Sequence, residues 1–218
     1  MIIAIDGPAA AGKGTLARQL AGALGYIYLD TGAIYRAVAK SVLDAGDDPD
    51  DVRTAAAHAE SLNPSALEDP DLRGEEVGDA ASRVAALPAV RDALLAFQRR
   101  VATTPPGAVL DGRDTGTVIC PDAGLKLFVT ASLEERARRR LEELRCKGET
   151  LILPQVLAEL AARDSRDRDR QIAPLRQAED AVEIDTTGMT PDAVFRRVLC
   201  LARERLMLLE GVPGRTMR

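Results

Sequence analysis

The feature that most constrains this chain is a glycine-containing loop directly after its first apolar run. Residues 7–15 read GPAAAGKGT, with the spacing G-x4-G-K, and they follow the apolar run 2–6. Glycines let backbone N–H groups converge on an anion, and the N-terminus of the following helix adds partial positive charge. Lys13 is placed to reach the outer phosphates of a nucleotide. The order of strand, loop and helix therefore predicts a phosphate-binding loop, or P-loop.

The loop departs from its commonest form at one position. A serine or threonine that holds magnesium usually follows the lysine, whereas here Gly14 stands there and Thr15 comes next. The pattern leaves open whether the Thr15 hydroxyl binds Mg²⁺ directly or through water. The GKGT form resembles nucleoside monophosphate kinases rather than GTPases.

Five short apolar runs predict the strands of a sheet. They are nearly continuous rather than alternating, which is typical of a parallel sheet covered by helices on both faces. Four of them end at or just before Asp or Thr, and ligands of open α/β sheets gather at the carboxyl ends of strands. The predicted strands are 2–6, 26–30, 108–111, 125–130 and 181–185.

Helical patterns separate these strands, and together they predict one α/β domain over residues 1–218. Ser132 opens one helix with Glu135 as its expected capping-box partner, and Thr190-Pro191-Asp192 opens the last, which should run to about residue 209. The other predicted helices are 13–24, 33–43, a helix near 51–61, and two within 74–102 that are split at Pro88.

Two regions interrupt the alternation of strands and helices. Residues 44–73 are acidic and contain three prolines, and the longer insertion 37–102 is a candidate substrate-side subdomain. Residues 145–154 read RCKGETLILP and predict a mobile lid between two helices. The tail 211–218 is expected to be frayed.

Composition narrows the function further. The chain has 218 residues, of which 46% are apolar and 29% charged, as in an ordinary soluble globular protein. A net charge of −5 argues against a sequence-independent nucleic-acid binder. Three dispersed cysteines and one histidine argue against a structural zinc site or a Cys/His nucleophile pair. Since no signal peptide or membrane-spanning run is found, we expect a cytoplasmic protein with no membrane contact. Because the sequence has no obvious exposed apolar stripe, we expect a monomer.

Four clusters could form an acceptor site opposite the loop. They are DTGAIYR at 30–36, DGRD at 111–114, Ser82 and Arg91 on either side of Pro88, and an arginine-rich stretch that places Arg163, Asp167 and Arg170 on one predicted helix face with Arg166. Each cluster alone has a plain explanation, because Arg–Asp pairs at helical spacing usually form solvated salt bridges and Asp-Gly is common in turns.

Taken in order, these blocks resemble one family. GPAAAGKGT, DTGAIYR, AASRVAALPAVR, DGRDTGTVICPDA and RDSRDRDRQIAPL follow one another as in the bacterial cytidylate kinases, and the resemblance covers nearly the whole chain. It implies a three-layer P-loop fold with a five-stranded parallel sheet, a small insertion that binds the nucleoside monophosphate at 37–102 and a short lid at 145–154. It also implies phosphorylation of CMP and dCMP, with ATP as the phosphoryl donor and Mg²⁺ as the cofactor.

The resemblance also implies roles for single residues. Arginines would hold the donor and acceptor phosphates, a polar trio of Ser82, Arg91 and Asp114 would bind the cytosine, and Asp167 would meet the ribose hydroxyl. The expected ATP-binding residues are Gly7, Pro8, Ala9, Ala10, Ala11, Gly12, Lys13, Gly14 and Thr15. The expected substrate-binding residues are Thr31, Tyr35, Arg36, Ser82, Arg91, Arg113, Asp114, Arg163, Asp167 and Arg170. The expected catalytic residues are Lys13, Arg36, Arg113, Arg163 and Arg170.

The chain departs from the family pattern in two places. Thr31 stands where the best-known members have serine, which preserves the hydroxyl. The stretch between Arg36 and Ser82 is short and does not read as strands, whereas well-known members carry a small β insertion there, so the CMP-side subdomain should be built differently.

The residue types favour a site that binds cytosine, and two other functions stay open. An Asp accepts from the cytosine amino group and should repel uracil. The first alternative is a P-loop kinase with another acceptor, such as AMP, UMP or a small metabolite. The second is a nucleotide-dependent switch without enzymatic activity, although the chain lacks an NKxD motif for guanine.

Overall fold

All five predicted strands are found in the computed structural model of the chain, and they form one parallel sheet. The structure describes residues 1–146, 148–209 and 211, with the side chains of Arg73 and Glu75 left aside. The strand order is β2-β3-β1-β4-β5. The strands are Ile2–Asp6 (β1), Ile27–Asp30 (β2), Ala108–Gly112 (β3), Leu125–Thr130 (β4) and Val182–Asp185 (β5). The predicted bounds are therefore confirmed to within one residue.

The register brings the functional loops to one edge of the sheet. β1 lies at the centre, with Asp6 level with Gly112 of β3 and Phe128 of β4. On the far side of β3, Asp30 of β2 is level with Asp111. Because all strands run in one direction, the P-loop, the DTGAIYR block and the DGRD block leave the sheet side by side, as expected.

Eight α-helices surround the sheet in the described part of the chain. Short 3₁₀ turns lie at Pro64–Glu68 and Pro70–Arg73, and a π-helical turn lies at Thr115–Ile119. The helices are Lys13–Leu24 (α1), Thr31–Asp44 (α2), Val52–Glu60 (α3), Glu75–Val84 (α4), Pro88–Ala102 (α5), Leu133–Cys146 (α6), Leu153–Asp169 (α7) and Pro191–Leu209 (α8).

Two apolar cores cover the two faces of the sheet, which makes a three-layer α/β sandwich. On one face α1 and α8 pack Leu20 and Val198 against Ile3 and Ile5. On the other face α2 and α5 pack against β2 and β3 around a core that includes Leu110, and α3 and α4 pack on these helices. Each fully buried side chain of this size contributes about 1.5–3 kcal/mol through removal from water. The continuous apolar strand pattern follows from this burial on both faces.

A third, smaller core joins α6 and α7 to the P-loop. It contains Leu141 and Leu144 of α6, Val156 and Leu160 of α7, and Ala9 of the loop. The two helices therefore form a unit beside the loop rather than a layer on the sheet. Residues 37–102, between β2 and β3, contain helices and turns but no strand, in line with the absence of a β pattern there.

Two local predictions need correction, and two lie partly outside the described residues. Only half of the capping box forms: Ser132 Oγ accepts from the Glu135 N–H at 3.2 Å, but the Ser132 N–H donates to Thr187 Oγ1 because the loop after β5 lies beside it. α7 ends at Asp169, so Arg170 is just past the helix and not on its face. In the predicted lid Lys147 lies outside the described residues, as does the predicted frayed tail except for Gly211.

Within the described ranges, none of the helices combines the length and apolar character needed to cross a bilayer.

Candidate active site

The P-loop leaves β1 in close contact with β4, and this contact explains its first glycine. Gly7 has φ of +147°, and a Cβ added there would lie 1.9 Å from the Val129 carbonyl oxygen. A larger residue would therefore push the loop off the sheet. Lys13 is the first residue of α1 and its side chain is only 6% exposed. Its ammonium donates to the Pro8 carbonyl at 2.7 Å, so the Lys13 side chain reaches across the P-loop.

The loop forms the floor of a cleft of about 1070 Å³. Loop residues 9–15 line this cleft, whereas Gly7, Pro8 and Arg91 lie behind its surface. The other predicted site residues all reach its wall: Thr31, Tyr35, Arg36, Ser82, Arg113, Asp114, Arg163, Asp167 and Arg170. Residues from α2, α4, α7 and the loop after β3 thus converge with the P-loop on one space.

Burial changes the ionisation of the lysine at the floor of the cleft. Loss of water, and then the positive charge of Arg113, lower the pKa of Lys13 to about 7. Nearby Asp111 and Asp6 oppose this shift. Since phosphate groups would add negative charge here, the site favours the charged lysine once an anion is bound.

Arg113 and Asp167 form an ion pair across the cleft. Arg113 Nε donates to Asp167 Oδ2 at 2.7 Å, and its Nη1 donates to the Gly112 carbonyl. Burial works against the charge of Asp167, but Arg113 and Arg163 outweigh it and hold its pKa below the ordinary value. The pair therefore stays ionised and keeps the guanidinium oriented.

Asp114 is held between two arginines. Arg91 Nη2 donates to its Oδ2, and Arg170 Nη2 donates to Oδ1 at 3.3 Å. Arg91 is further fixed by the Ala85 carbonyl at 3.1 Å and lies 5.5 Å from the centre of the Tyr35 ring. Arg91 thus lies behind the wall of the cleft and orients Asp114. The sequence block that contains Arg91 did not by itself reveal this position.

Three further residues that line the cleft carry buried polar atoms: Arg36, Ser82 and Arg163. Arg36 Nη2 donates to Asp30 at 2.7 Å, while its Nε is buried without a hydrogen-bond partner among the described residues. Arg163 Nε and Ser82 Oγ are likewise buried without partners in the described part of the chain. Burial and the charge of Arg113 lower the pKa of Arg163 to about 10. Unsatisfied buried donors of this kind are costly and point to a polar ligand.

A second cavity, of about 270 Å³, lies on the other side of the P-loop. It is lined by Thr15, Arg139, Thr186 and Met189 among others. Arg139 donates to both Thr186 Oγ1 and the Thr186 carbonyl, at 2.9 and 2.8 Å. Its position beside the loop suits the nucleoside part of a donor nucleotide.

Sequence reasoning missed several residues that hold the site together. Arg136, buried in α6, donates to the Ala9 carbonyl of the P-loop at 3.3 Å and pairs with Asp164 of α7 at 2.8 Å. Asp111, near the end of β3, was named only as part of the DGRD block and given no role of its own, yet it lines the cleft and accepts from the Tyr28 hydroxyl. The strand-end position of Asp111 was a usable signal, whereas the Arg136 contacts span distant parts of the chain and leave no local pattern.

The P-loop faces several arginines across one cleft. This arrangement is typical of P-loop enzymes that bind two phosphorylated ligands, as nucleotide kinases do. The cytidylate kinase family model matches residues 3–204. The chain therefore belongs to the cytidylate kinase family.

Curated relatives agree with this assignment along almost their whole length. The chain is 58% identical over 201 residues to a cytidylate kinase of Paramagnetospirillum magneticum, covering 91% of this chain and 95% of that one. It is 57% identical over 199 residues to one of Rhodopseudomonas palustris, covering 91% and 94%. For one of Granulibacter bethesdensis the identity is 56% over 205 residues, covering 94% and 98%.

A solved structure shows the same fold at low identity. An uncharacterized protein from Eubacterium ventriosum superposes with a TM-score of 0.58 at 15% identity, covering 94% of this chain and 98% of that one.

Proposed function

We propose that this chain transfers the γ-phosphoryl group of ATP to CMP and dCMP, giving ADP and CDP or dCDP. Membership of the cytidylate kinase family supports this reaction. ATP binds with its phosphates on the P-loop and its base in the cavity beside Thr15 and Met189. The monophosphate binds in the large cleft, with its phosphate toward Arg36, Arg113 and Arg163.

The single observation that carries this proposal is the arrangement around Asp114. Cytosine offers an amino donor next to a ring nitrogen and a carbonyl acceptor. A carboxylate oriented by Arg91, beside a buried Ser82 hydroxyl, complements that pattern. Uracil has a carbonyl where cytosine has its amino group, so it would face the Asp114 carboxylate. We expect discrimination worth about 1–3 kcal/mol from this mismatch.

Catalysis in this proposal consists of alignment and charge stabilisation. A phosphate monoester has a second pKa near 6, so the CMP phosphate is largely ionised at pH 7 and needs no general base. One of its oxygens attacks the γ-phosphorus in line, while the bond to the β-phosphate oxygen breaks and ADP leaves. Lys13, Arg36 and Arg113 neutralise the transferred group, and Arg163 and Arg170 complete the set of charged donors.

Magnesium fits this site as a cation carried on ATP. In the described residues no group of three or more His, Cys, Asp or Glu side chains could hold a metal alone. Mg²⁺ typically uses one or two protein oxygens together with phosphates and water. Asp111 and Thr15, which both line the cleft, would supply those oxygens. When bound, the ion supplies neutralisation of phosphate charge.

Two segments close the site in this proposal. The insertion 37–102 contains the part of α2 that follows Arg36, and it also contains Ser82 on α4. In this proposal it binds the monophosphate. The segment 145–154 acts as a lid, and Cys146 at its edge lines the cleft. Closure excludes water, which would otherwise hydrolyse ATP. Because one copy supplies every group named here, a monomer suffices for the reaction. We place this activity in the cytoplasm.

A phosphotransfer panel tests the function. The purified chain is assayed with ATP, Mg²⁺ and each of CMP, dCMP, UMP and AMP, with ADP release and product nucleotide both measured. We expect the highest kcat/KM for CMP and dCMP, with UMP lower by about 5- to 150-fold. Equal turnover of AMP would contradict the cytidylate assignment. Tight ATP binding without transfer to any monophosphate would favour a switch.

A further inference from the structure

The carboxylate of Asp111 faces the P-loop with its two oxygens in different surroundings. Oδ1 accepts a hydrogen bond from the Tyr28 hydroxyl at 3.1 Å. Oδ2 faces Gly14, from whose ideal Cβ position it is 3.5 Å away. The Asp111 backbone is fixed separately, because its carbonyl accepts from Thr31 Oγ1 at 2.9 Å. The hydrogen bond from the tyrosine therefore restrains rotation of the carboxylate.

Tyr28 is placed for this contact by the sheet and by a cation. It lies on β2, level with Val109 of β3 and two residues before Asp30, which is level with Asp111. The Arg18 guanidinium lies over the Tyr28 ring, 5.3 Å from its centre. A cation over the ring face restricts the ring, so the hydroxyl is aimed along the sheet edge at the aspartate.

The unusual glycine of the P-loop fits the same arrangement. The ideal Cβ of Gly14 would lie 3.6 Å from the Tyr28 hydroxyl and 3.5 Å from Asp111 Oδ2, both ordinary contact distances. A serine or threonine hydroxyl at this position would extend past that Cβ toward the pair. The space that other P-loops fill with a hydroxyl after the lysine is thus bordered here by the Tyr28–Asp111 hydrogen bond.

We propose that Tyr28 is a positioning residue that acts through Asp111. Its hydroxyl holds Oδ1, which turns Oδ2 toward the P-loop and toward a divalent cation carried on the nucleotide phosphates. This inference rests on the proposed function for the identity of the nucleotide. Tyr28 itself touches no reacting atom, so its removal should weaken cation retention rather than abolish phosphoryl transfer.

The test measures cation binding directly. Mn²⁺ serves as a paramagnetic substitute for Mg²⁺, and its affinity for the enzyme–ADP complex is measured by electron paramagnetic resonance. We expect Tyr28→Phe to weaken Mn²⁺ binding by about tenfold, because a lost hydrogen bond to a metal-facing carboxylate commonly costs 10–100-fold in metal affinity. Unchanged Mn²⁺ affinity would overturn the proposal.

Tyr26→Phe is the matched control. Tyr26 lies two residues earlier in the chain, and its ring packs against Gly107 away from the cleft. The same loss of one hydroxyl there should leave Mn²⁺ affinity within twofold. An equal loss in both variants would show a general effect of the substitution on β2 and would also overturn the proposal.

A double variant separates positioning from structural damage. In an Asp111→Asn background, Tyr28→Phe should change Mn²⁺ affinity by less than twofold, because the carboxylate through which it acts is gone. A full tenfold loss in that background would show that Tyr28 acts by another route. The titration needs only ADP and Mn²⁺, so it stays decisive even if the wild-type chain fails to phosphorylate CMP, which would refute the proposed function instead.

Discussion

The donor and acceptor sides of the cleft are built in opposite ways. On the proposed donor side, the loop residues 7–15 are contiguous and residues 9–15 line the cleft, so the backbone and one lysine would form the anion site. On the acceptor side, guanidinium groups from separate elements are each held by an aspartate. The pairs are Arg36–Asp30, Arg113–Asp167 and Arg170–Asp114. The donor site is thus set by local backbone geometry, whereas the acceptor site depends on charges brought together by the fold.

This difference has an energetic consequence. A buried ion pair loses hydration that its attraction only partly restores, so it is weak as a source of stability but strong in fixing geometry. Arg113 and Asp167 remain charged in the cleft despite burial, since each keeps the other ionised. Under the proposed function, an arriving phosphate would therefore meet arginines that are already oriented by their aspartates.

The largest effect is expected on the donor side. Lys13→Ala should lower kcat by at least about 100-fold, because one preorganised charge at the transferred group is removed from a water-poor site. Circular dichroism and the melting temperature should show a folded protein. The measurement is steady-state turnover with saturating ATP and CMP.

Lys40→Ala is the control for that variant. Lys40 lies on α2 and pairs with the exposed Asp44 at 2.7 Å, outside the cleft. Its loss should leave turnover within about twofold, as expected of an exposed i,i+4 pair. Near-normal turnover of Lys13→Ala would show that backbone groups alone sustain the donor side.

A substitution on the acceptor side should change the selectivity between CMP and UMP more than it changes kcat. Asp114→Ala removes the proposed acceptor of the cytosine amino group and leaves Arg91 without its carboxylate. We expect the KM for CMP to rise by about 5- to 150-fold, equivalent to 1–3 kcal/mol, and the CMP/UMP ratio to fall. Asp92→Ala on the exposed side of α5 is the matched control. An unchanged CMP/UMP ratio would mean that another group distinguishes the bases.

The same contrast explains what the sequence could predict. The strands and the helix 13–24 were predicted closely, because continuous apolar runs and a glycine loop are local signals of a buried parallel sheet. Arg170 was assigned to the face of α7 by its spacing, but the helix ends at Asp169, and Arg170 still reaches Asp114 from beyond the helix.

Contacts between distant segments were beyond local patterns. The capping box of α6 is only half formed because Thr187, from a loop 55 residues away, takes the Ser132 N–H. Arg136 joins the P-loop to Asp164 by contacts that no spacing rule encodes. The proposed acceptor residues were therefore chosen by their resemblance to a family, and the packing explains why they lie together.

A pH titration sharpens the comparison further. Because burial lowers the pKa of Lys13 to about 7, raising the pH above 7 removes its charge in the free enzyme. Bound phosphates favour the charged form, so binding takes up a proton and affinity falls as pH rises. We expect the affinity for metal-free ATP to drop between pH 7.5 and 9.5, by at most about tenfold per pH unit.

Calorimetry in buffers of different ionisation enthalpy measures this proton uptake. Burial also raises the pKa of Asp111, and loss of that proton would add negative charge in the same direction. Lys13→Arg isolates the lysine, because a guanidinium stays charged throughout the range. The pH dependence should flatten in Lys13→Arg; an equally steep fall would assign it to Asp111 or to the nucleotide.

The smallest effect is expected at Thr31, the first residue of α2. Thr31 Oγ1 donates to the Asp111 carbonyl at 2.9 Å, and the residue is only 3% exposed. Thr31→Ser keeps this hydroxyl and should change kcat/KM by less than about threefold. Thr31→Val keeps the shape but leaves the buried carbonyl unsatisfied, which costs about 1–3 kcal/mol of stability. If urea unfolding and turnover show Ser and Val to be equally well tolerated, the hydroxyl does not tie the two strand ends together, and the acceptor side owes its geometry to the ion pairs alone.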